Sequence, residues 1–467
     1  MQTSKVAALL IIASLLAACS GGGSVTPSTG SSAKTAPASN STGSRFIQGY
    51  TTGIVPDDFS YDVNPPTQEF TDGTGATANA FPPLSVCKAH YGLACYTPSL
   101  IKTAYNVPAQ YDGSGQTIVI IDAFGSPTIQ HDLTAFDATM GLPDPTFNVV
   151  YPNGQPTPYD GTARRAGWAG ETSLDVEWAH AIAPKATIVL VVSPTSSGTD
   201  IGNAEAYVIQ TYSGSVVSMS YGASEPAIPG GAKNVHLQHD DKVFQSSQDA
   251  NITMIASAGD LGATNGNSGL TAEFPASDPS VLSVGGTNLF TNDAGTYQSE
   301  TVWNDTDSSL CPFGCAYGAF GATGGAPSVL FRAPSYQQSL LHPDTREVAD
   351  VAYNASVYTA VLVAESFRGT GTRYYFTGGT SAGAPQWAGI IALANQAAGH
   401  SLGFVNKSLY QIAKNGPYSS AFHDITVGQN ALFNGPGEPA GPSYDMPTGL
   451  GSPNVANLIT ALTTSGN

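Results

Sequence analysis

The sequence predicts a single large α/β domain built on a doubly wound, mostly parallel sheet with helices on both faces. Short continuous runs of apolar and β-branched residues alternate along the chain with stretches of helical periodicity. Continuous apolar runs are typical of strands covered on both faces, and the alternation with helices is typical of parallel sheets. We therefore expect the functional residues at the carboxyl ends of the strands, where such folds bind their ligands.

Five of these runs are predicted to be core strands, and the stretches between them supply covering helices. The predicted strands are residues 116–124, 186–193, 215–220, 252–259 and 280–286, and two of the predicted helices are residues 200–212 and 237–250. No internal repeat and no second linker interrupts this pattern, so residues 96–467 are interpreted as one domain.

The N-terminal residues are predicted to direct export. Residues 1–18 contain one lysine and an apolar run too short to span a bilayer, which is typical of a secretory signal. The ending "LAAC" resembles a bacterial lipobox and predicts a lipid anchor on Cys19; a plain signal with a chance cysteine is the alternative. We expect a protein that is lipid-anchored to a bacterial membrane, facing the periplasm or the cell surface, or secreted.

Two segments without a core pattern follow the signal. Residues 19–45 are rich in Ser, Gly and Thr and cannot bury enough apolar surface to fold, so they are interpreted as a disordered tether. Residues 46–95, rich in Pro, Gly and aromatic residues, show no α/β pattern and are interpreted as an irregular N-terminal extension.

The charge of the chain narrows its possible partners. There are 34 acidic and 16 basic residues, which give a formal net charge of −18. Such an excess of negative charge argues against a nucleic-acid partner and against binding to an anionic membrane surface. The only membrane contact that we expect is the lipid anchor, and we expect a monomer.

Four further cysteines form two local pairs in turn-rich sequence. Because the chain is predicted to be exported, we expect disulfides between Cys87 and Cys95 and between Cys311 and Cys315. A zinc site built from all four cysteines is the alternative, although their spacings fit zinc knuckles poorly.

A candidate nucleophile lies in "FTGGTSAGAPQWAG", residues 376–389. Two glycines precede Thr380 and Ser381, and an apolar helical run follows, so the Ser381 hydroxyl is predicted to lie exposed at a helix N-terminus. The helix dipole and the free N–H groups there favour a developing oxyanion. This stretch and "FPASDPSVLSVGGT", residues 274–287, resemble the corresponding segments of subtilisin-like enzymes.

The histidine of a subtilisin triad is missing, although "VIIDAFG" offers Asp122 as the aspartate. His180 is the nearest candidate, but it lies half a helical turn out of phase with Glu171 and is interpreted as a structural histidine. Glu171 and Asp175 instead share one face of a predicted helix, beside an apolar stripe that meets an open edge. We interpret this pair as a carboxyl base; a solvated helix face is the alternative.

Over residues 96–467 the chain resembles the sedolisins, serine-carboxyl peptidases with a subtilisin-like fold. The resemblance implies that Glu171 is the general base, that Asp175 orients it and that Ser381 is the nucleophile. "SAGDLGA", residues 257–263, resembles the segment that carries the family's oxyanion-hole aspartate, here Asp260. The implied activity is hydrolysis of proteins or peptides in acid, where a glutamate can still accept a proton and a histidine cannot.

The resemblance also implies one structural calcium ion near the C-terminus. In "HDITVGQN" and "AGPSYDMPTGLGSPN" the matching positions are Asp424 and Asp445 as side-chain ligands, with Ile425, Gly441 and Ser443 as carbonyl ligands. Hard oxygen donors of this kind suit Ca²⁺. Ser443 stands where the family usually has glycine, which a carbonyl ligand tolerates unless the backbone needs a positive φ. Two turn-capping aspartates without a metal are the alternative.

A catalytically inactive surface lipoprotein, binding peptides in the same cleft or acting as an adhesin, is the alternative function. The joint presence of Glu171, Asp175, Asp260 and Ser381 argues against it, because a binding protein needs none of them.

Overall fold

The computed structural model describes Arg45 and residues 58–63, 65–70, 81–307, 309, 320–369, 371–433 and 435–464. These residues belong to one compact unit, Ser44–Asn467. The predicted fold class, a doubly wound and mostly parallel α/β sheet with helices on both faces, is confirmed.

Helices and strands alternate through the described part of the chain. The helices there are α1 (Leu84–His90), α2 (Pro98–Ala104), α3 (Ile129–Met140), α4 (Ala163–Ile182), α5 (Gly198–Thr211), α6 (Val235–Asp249), α7 (Ser335–Gln338), α8 (Thr380–Ala398), α9 (Asn406–Asn415), α10 (Tyr418–Ala421) and α11 (Val455–Thr464). The strands there are β1 (Thr67–Glu69), β2 (Ala94–Tyr96), β3 (Thr117–Ala123), β4 (Phe147–Val150), β5 (Thr187–Ser193), β6 (Val216–Met219), β7 (Ala223–Ser224), β8 (Thr253–Ser257), β9 (Glu273–Phe274), β10 (Val281–Thr291), β11 (Tyr297–Val302), β12 (Ala326–Arg332), β13 (Thr345–Val348), β14 (Val351–Asn354), β15 (Thr359–Glu365), β16 (Arg373–Thr377), β17 (Phe422–His423) and β18 (Ser452–Pro453).

The central sheet has the strand order β11-β10-β8-β6-β3-β5-β4, and β14 also pairs with β10. All five predicted core strands are present as β3, β5, β6, β8 and β10. Their pairings with one another are parallel, so their carboxyl ends meet at one edge of the sheet. The one antiparallel pair joins β10 to β11.

A second, four-stranded sheet has the order β1-β16-β15-β2. Residues 46–95, predicted to be irregular, supply β1, α1 and most of β2 to this part of the fold. The predicted disulfide between Cys87 and Cys95 is confirmed and joins α1 to β2. The alternative, a zinc site built from all four cysteines, is wrong, because Cys87 and Cys95 are bonded to each other and have no free thiol. Cys311 and Cys315 lie outside the described residues, so their pairing stays a prediction.

Two long helices, α4 and α8, pack against each other in the core. A Cβ atom on Gly389 of α8 would lie 2.6 Å from the Cβ of Ile182 of α4, so only glycine permits this approach. Trp178 of α4 donates a hydrogen bond from Nε1 to the Leu362 carbonyl oxygen at 2.9 Å, which ties α4 to β15. From Trp168 to its end α4 is buried on every side. The expectation that Glu171 and Asp175 lie at an open edge is therefore wrong.

None of the helices among the described residues combines the length and apolar character needed to cross a membrane. The predicted signal, Cys19 and the tether up to residue 44 lie outside these residues, so lipid anchoring stays a prediction.

Candidate active site

The backbone around Ser381 presents its hydroxyl at the first turn of α8. Gly379 caps this helix with a φ of 93°, and a Cβ there would lie 2.6 Å from Asp260 Oδ2. Pro385 lacks the N–H that would bond to the Ser381 carbonyl oxygen in a regular helix. The Ser220 hydroxyl lies 3.4 Å from that carbonyl oxygen instead. The Ser381 N–H belongs to the first turn, where such groups have no partner within the helix.

Asp260 follows β8 and lies beside this turn. Its Oδ1 accepts hydrogen bonds from the Thr380 N–H and hydroxyl, both at 2.8 Å, which leaves Oδ2 on the side of Gly379. Burial raises the pKa of Asp260 to about 6, although the two hydrogen bonds oppose the shift. The carboxyl is therefore neutral in acid and can then donate a hydrogen bond from Oδ2.

A cluster of three buried carboxyl groups lies behind Ser381. Glu171 and Asp175 come from α4, and Asp122 comes from the carboxyl end of β3; none of the three is exposed to solvent. Burial and the charge of Asp122 raise the pKa of Glu171, and the same two causes raise that of Asp175, where Glu171 adds to them. No basic side chain among the described residues contributes to these shifts. These carboxyl groups therefore stay protonated at higher pH than carboxyl groups in water do.

The polar contacts of the cluster are few. The Ser220 hydroxyl, just after β6, donates to Asp175 Oδ1 at 2.8 Å and so fixes that carboxyl. The Ser381 hydroxyl is near enough to Glu171 to lower its pKa, yet neither Glu171 oxygen makes a hydrogen bond with a described group. Glu171 is thus buried next to Ser381, and its oxygens can still accept hydrogen bonds.

Asp122 and Ser220 also lie at this site, although the sequence does not predict a carboxyl cluster that includes them. The sequence offers Asp122 only as the aspartate of a triad that lacks its histidine. Its position at the end of an apolar strand was the available signal, because the carboxyl ends of parallel strands meet at the ligand-binding edge. Ser220 lies at the end of the neighbouring strand, in a chain where serines are too frequent to be informative.

The histidines play no part in this site. All eight lie in the described residues, and none lines the cavity at Ser381. His180 is buried, with Nε2 placed 3.1 Å from Asp137 Oδ1 of α3. Glu177 also points away from the cluster, since its Oε2 accepts from the Ala364 N–H at 2.9 Å.

The N-terminal segment, residues 58–63 and 65–70, runs along the cleft. Asp62 exchanges two backbone hydrogen bonds with Gly222, at 3.0 and 3.2 Å, and the Tyr61 N–H donates to the Ser196 carbonyl oxygen at 2.8 Å. Further along, the Gly378 N–H donates to the Pro66 carbonyl oxygen at 3.0 Å. The backbone of the N-terminal segment therefore pairs antiparallel with Gly222 and with β16, on the two sides of Ser381. An extended peptide bound in the cleft would pair in the same way.

Three of the residues suggested for calcium, Asp424, Ser443 and Asp445, lie near one another. Asp424 Oδ2 accepts from the Ser443 N–H at 3.0 Å, and the Tyr418 hydroxyl lies 3.2 Å from both Asp424 Oδ1 and the Ser443 carbonyl oxygen.

Burial raises the pKa of Asp445 to about 6, and the charge of Asp424 adds to this. Ser443 has a φ of 70°, so the backbone does adopt the conformation that favours glycine.

The Asp424 carboxylate and the Ser443 carbonyl oxygen lie close to the same hydroxyl group, and oxygen ligands of this kind suit a hard cation. The described residues contain no group of three or more His, Cys, Asp or Glu side chains that could hold a metal. An ion at Asp424 and Asp445 would therefore depend on backbone carbonyl oxygens as well as on the two carboxylates.

The fold is of the subtilisin type, and carboxyl groups rather than a histidine surround Ser381 in its cleft. The sequence matches the Subtilase family over residues 162–413, slightly more than half of the chain. The chain belongs to this family, as a member of its sedolisin branch.

Individual relatives support this assignment. Kumamolisin from Bacillus sp. (strain MN-32) is 35% identical over 387 residues, which cover 80% of this chain and 64% of kumamolisin. Sedolisin from Pseudomonas sp. (strain 101) is 28% identical over 381 residues, which cover 79% of this chain and 62% of sedolisin. The chain thus spans somewhat less than two thirds of the length of these relatives.

A solved structure is also similar. The Pseudomonas sedolisin, a serine-carboxyl proteinase complexed with pseudo-iodotyrostatin, matches with a TM-score of 0.69 and 28% identity. The match covers 80% of this chain and 100% of that chain.

Proposed function

We propose that this chain is an acid-active serine-carboxyl peptidase that hydrolyses proteins or peptides. The observation that carries the proposal is the placement of Ser381 at a free helix N-terminus, directly in front of a buried carboxyl cluster and away from every histidine. A carboxyl base functions at a pH where an imidazole would already be protonated.

The residues divide the chemistry in a simple way. The Ser381 Oγ attacks the carbonyl carbon of the scissile bond, and Glu171 takes the hydroxyl proton. Glu171 then passes this proton to the leaving amine as the C–N bond breaks, which leaves an acyl ester on Ser381. In the second half, water attacks the ester carbon and Glu171 accepts the water proton. Glu171 then returns this proton to Ser381 Oγ as the acyl–oxygen bond breaks, which releases the acid product and restores the serine. Asp175, fixed by Ser220, holds Glu171 in position.

The negative oxygen that forms in each half requires hydrogen-bond donors. Two donors converge beside Ser381: its own N–H at the first turn of α8, and Oδ2 of Asp260 when that carboxyl is protonated. Because the pKa of Asp260 is raised to about 6, the second donor is present in acid and disappears as the pH rises through that value. Such donors stabilise the transition state more than the substrate.

Removing one oxyanion donor should be costly. We expect Asp260→Ala to lower kcat by roughly 10² to 10³, the range found when one such donor is lost. Asp260→Asn is the matched variant, since its Oδ1 can still accept from Thr380 while its Nδ2 donates at every pH. It should retain more activity than Asp260→Ala at pH 7. Equal activity of Asp260→Ala and the wild type at pH 4 would contradict the role.

Peptide digestion tests the function itself. The full chain is incubated with unstructured peptides at pH 4, both directly and after standing in acid, because the N-terminal segment lies in the cleft. New peptide termini detected by mass spectrometry in the wild type, and absent with Ser381→Ala, are the expected result. Peptide binding without any cleavage would instead favour the inactive, adhesin-like lipoprotein.

We also propose a structural calcium ion held by Asp424 and Asp445 with the carbonyl oxygens of Ile425, Gly441 and Ser443. The Asp424 carboxylate and the Ser443 carbonyl oxygen both lie 3.2 Å from the Tyr418 hydroxyl, and the charge of Asp424 raises the pKa of Asp445, which supports this assignment. The ion would balance charge between two acidic side chains and link two segments that are far apart in sequence.

Calcium should stabilise the fold measurably. At 100 times its Kd, an ion bound only to the native state adds about 2.7 kcal/mol, so EDTA should lower the Tm at pH 7, where Asp445 is ionised. Asp445→Ala should abolish both this response and calcium binding seen by calorimetry, whereas Asp293→Asn, at an exposed site, should not. A Tm and calorimetric trace indifferent to calcium in the wild type would rule the site out.

Export and lipid anchoring through Cys19 are further proposals that rest on residues 1–19 of the sequence.

A further inference from the structure

Two acceptor groups that receive no hydrogen bond from a described residue line the cavity at Ser381, whose volume is about 220 Å³. A Cβ on Gly222 would lie 2.2 Å from Glu273 Oε2, and a Cβ on Gly259 would lie 2.4 Å from Asn265 Oδ1. The glycines at these two positions therefore leave room for both side chains. Glu273 and Asn265 face the space between the edge that pairs with Asp62 and the loop that carries Asp260.

Asn265 presents an acceptor in a fixed orientation. Its Nδ2 donates to the Thr271 carbonyl oxygen at 2.9 Å, which identifies the other end of the amide as the oxygen. The side chain is 4% exposed, and Oδ1 has no hydrogen-bond partner among the described residues. A buried acceptor in this state costs free energy unless a ligand supplies a donor.

The carboxyl of Glu273 is in a similar situation. No hydrogen bond from a described residue reaches this carboxyl, and burial together with the charges of Asp260 and Asp62 raises its pKa to about 8. Its anionic form is therefore disfavoured in the free protein. A positive charge brought into the cavity would reverse this, because it would attract the carboxylate directly.

The N-terminal segment indicates which part of a substrate reaches this cavity. Asp62 pairs with Gly222, and Pro65 lies beside Gly379, with its Cα 3.4 Å from where a Cβ on that glycine would stand. A peptide on the same path runs from Gly222 to the nucleophile. The charge of Asp62 contributes to the raised pKa of Glu273, so a side chain at the position of Asp62 lies near this carboxyl. Side chains alternate along an extended strand, so the peptide residue two positions further toward Ser381 points to the same side.

We propose that Glu273, assisted by Asn265, determines substrate specificity: the cavity receives the side chain on the amino side of the scissile bond and prefers lysine or arginine. This inference rests on the proposed peptidase function. Ammonium and guanidinium groups carry three and five donors, enough to satisfy both acceptors at once. Charge-assisted bonds of this kind are about twice as strong as neutral ones. An apolar side chain would leave the two acceptors buried and unpaired.

The test compares two peptides that differ only at this position, one with lysine and one with methionine, which is also unbranched. For the full-length wild type at pH 5 we expect kcat/KM to be about tenfold or more higher for lysine. Glu273→Gln should reduce this ratio to below about threefold while cleaving the methionine peptide at nearly the wild-type rate, which also shows that the variant is folded. Glu438→Gln, a half-buried glutamate outside the cavity, should leave the ratio unchanged.

The outcomes separate this inference from the function on which it rests. A wild type that cleaves both peptides equally, or a Glu273→Gln variant that keeps the lysine preference, would overturn the specificity role and leave the peptidase intact. Cleavage of neither peptide would overturn the proposed function and the inference with it.

Discussion

Ser381→Ala should abolish peptide hydrolysis without unfolding the protein. The substitution removes one oxygen atom at a position that is 4% exposed, so the packing of α8 changes little. Without the Ser381 hydroxyl the proposed acyl ester cannot form, and a loss of kcat of about 10⁴ to 10⁶ is expected for a nucleophile of this class. Initial rates on a fluorogenic peptide at pH 4 measure the effect, and the Tm reports the fold.

Ser173→Ala provides the control for this variant. Ser173 is a buried serine of α4, and its hydroxyl donates to the Ala169 carbonyl oxygen at 3.2 Å, within its own helix. Losing that bond should leave most of the activity. If Ser381→Ala retained wild-type activity, the serine would have no place in the mechanism.

Glu171→Gln should have the second largest effect. Glutamine has the shape of glutamate but cannot accept a proton, so the variant removes the base without opening a cavity. General-base catalysis contributes about 10² to 10⁴-fold, and kcat should fall by that factor. Because Glu171 raises the pKa of Asp175, the pKa of Asp175 should fall when this neighbouring negative charge is removed.

Glu177→Gln is the matched control on the same helix. Glu177 is equally buried, but it accepts a hydrogen bond from Ala364 on the other side of α4, and a glutamine oxygen can accept this bond too. A loss of activity in Glu177→Gln as large as in Glu171→Gln would show that any polar change in α4 disrupts the site. The general-base assignment would then fail.

The sequence was a good guide to the central sheet, because burial on both faces leaves the continuous apolar runs that became β3, β5, β6, β8 and β10. The strands of the second sheet were not predicted. Part of that sheet is formed by residues 67–69, from a segment whose Pro and Gly content indicated irregular structure. The pairing that orders them comes from β16, more than 300 residues away, and local pattern contains no information on it.

The site was predictable where spacing along one helix or one turn was enough. Glu171 and Asp175 are four residues apart, and Ser381 follows a glycine pair, so each group had a local signature. The site also contains residues from separate strands and their ends, namely Asp122, Ser220 and Glu273. No local pattern predicts that these residues come together. The burial of α4 on all sides was also missed, because it depends on what packs over the helix and not on its own sequence.

The pH dependence of kcat/KM, measured on one peptide from pH 3 to 8, tests the carboxyl mechanism most directly. The catalytic form needs one ionised carboxyl in the cluster and a protonated Asp260. Because burial raises the pKa values of Glu171 and Asp175, the ionised carboxyl becomes scarcer as the pH falls, so the rate should decline on the acid side of its maximum as well. Since the pKa of Asp260 is raised to about 6, its donor is present below that pH and is lost above it. We expect a maximum in acid and a decline as the pH rises through about 6. A maximum near pH 8 that disappears when a histidine is replaced would contradict the account.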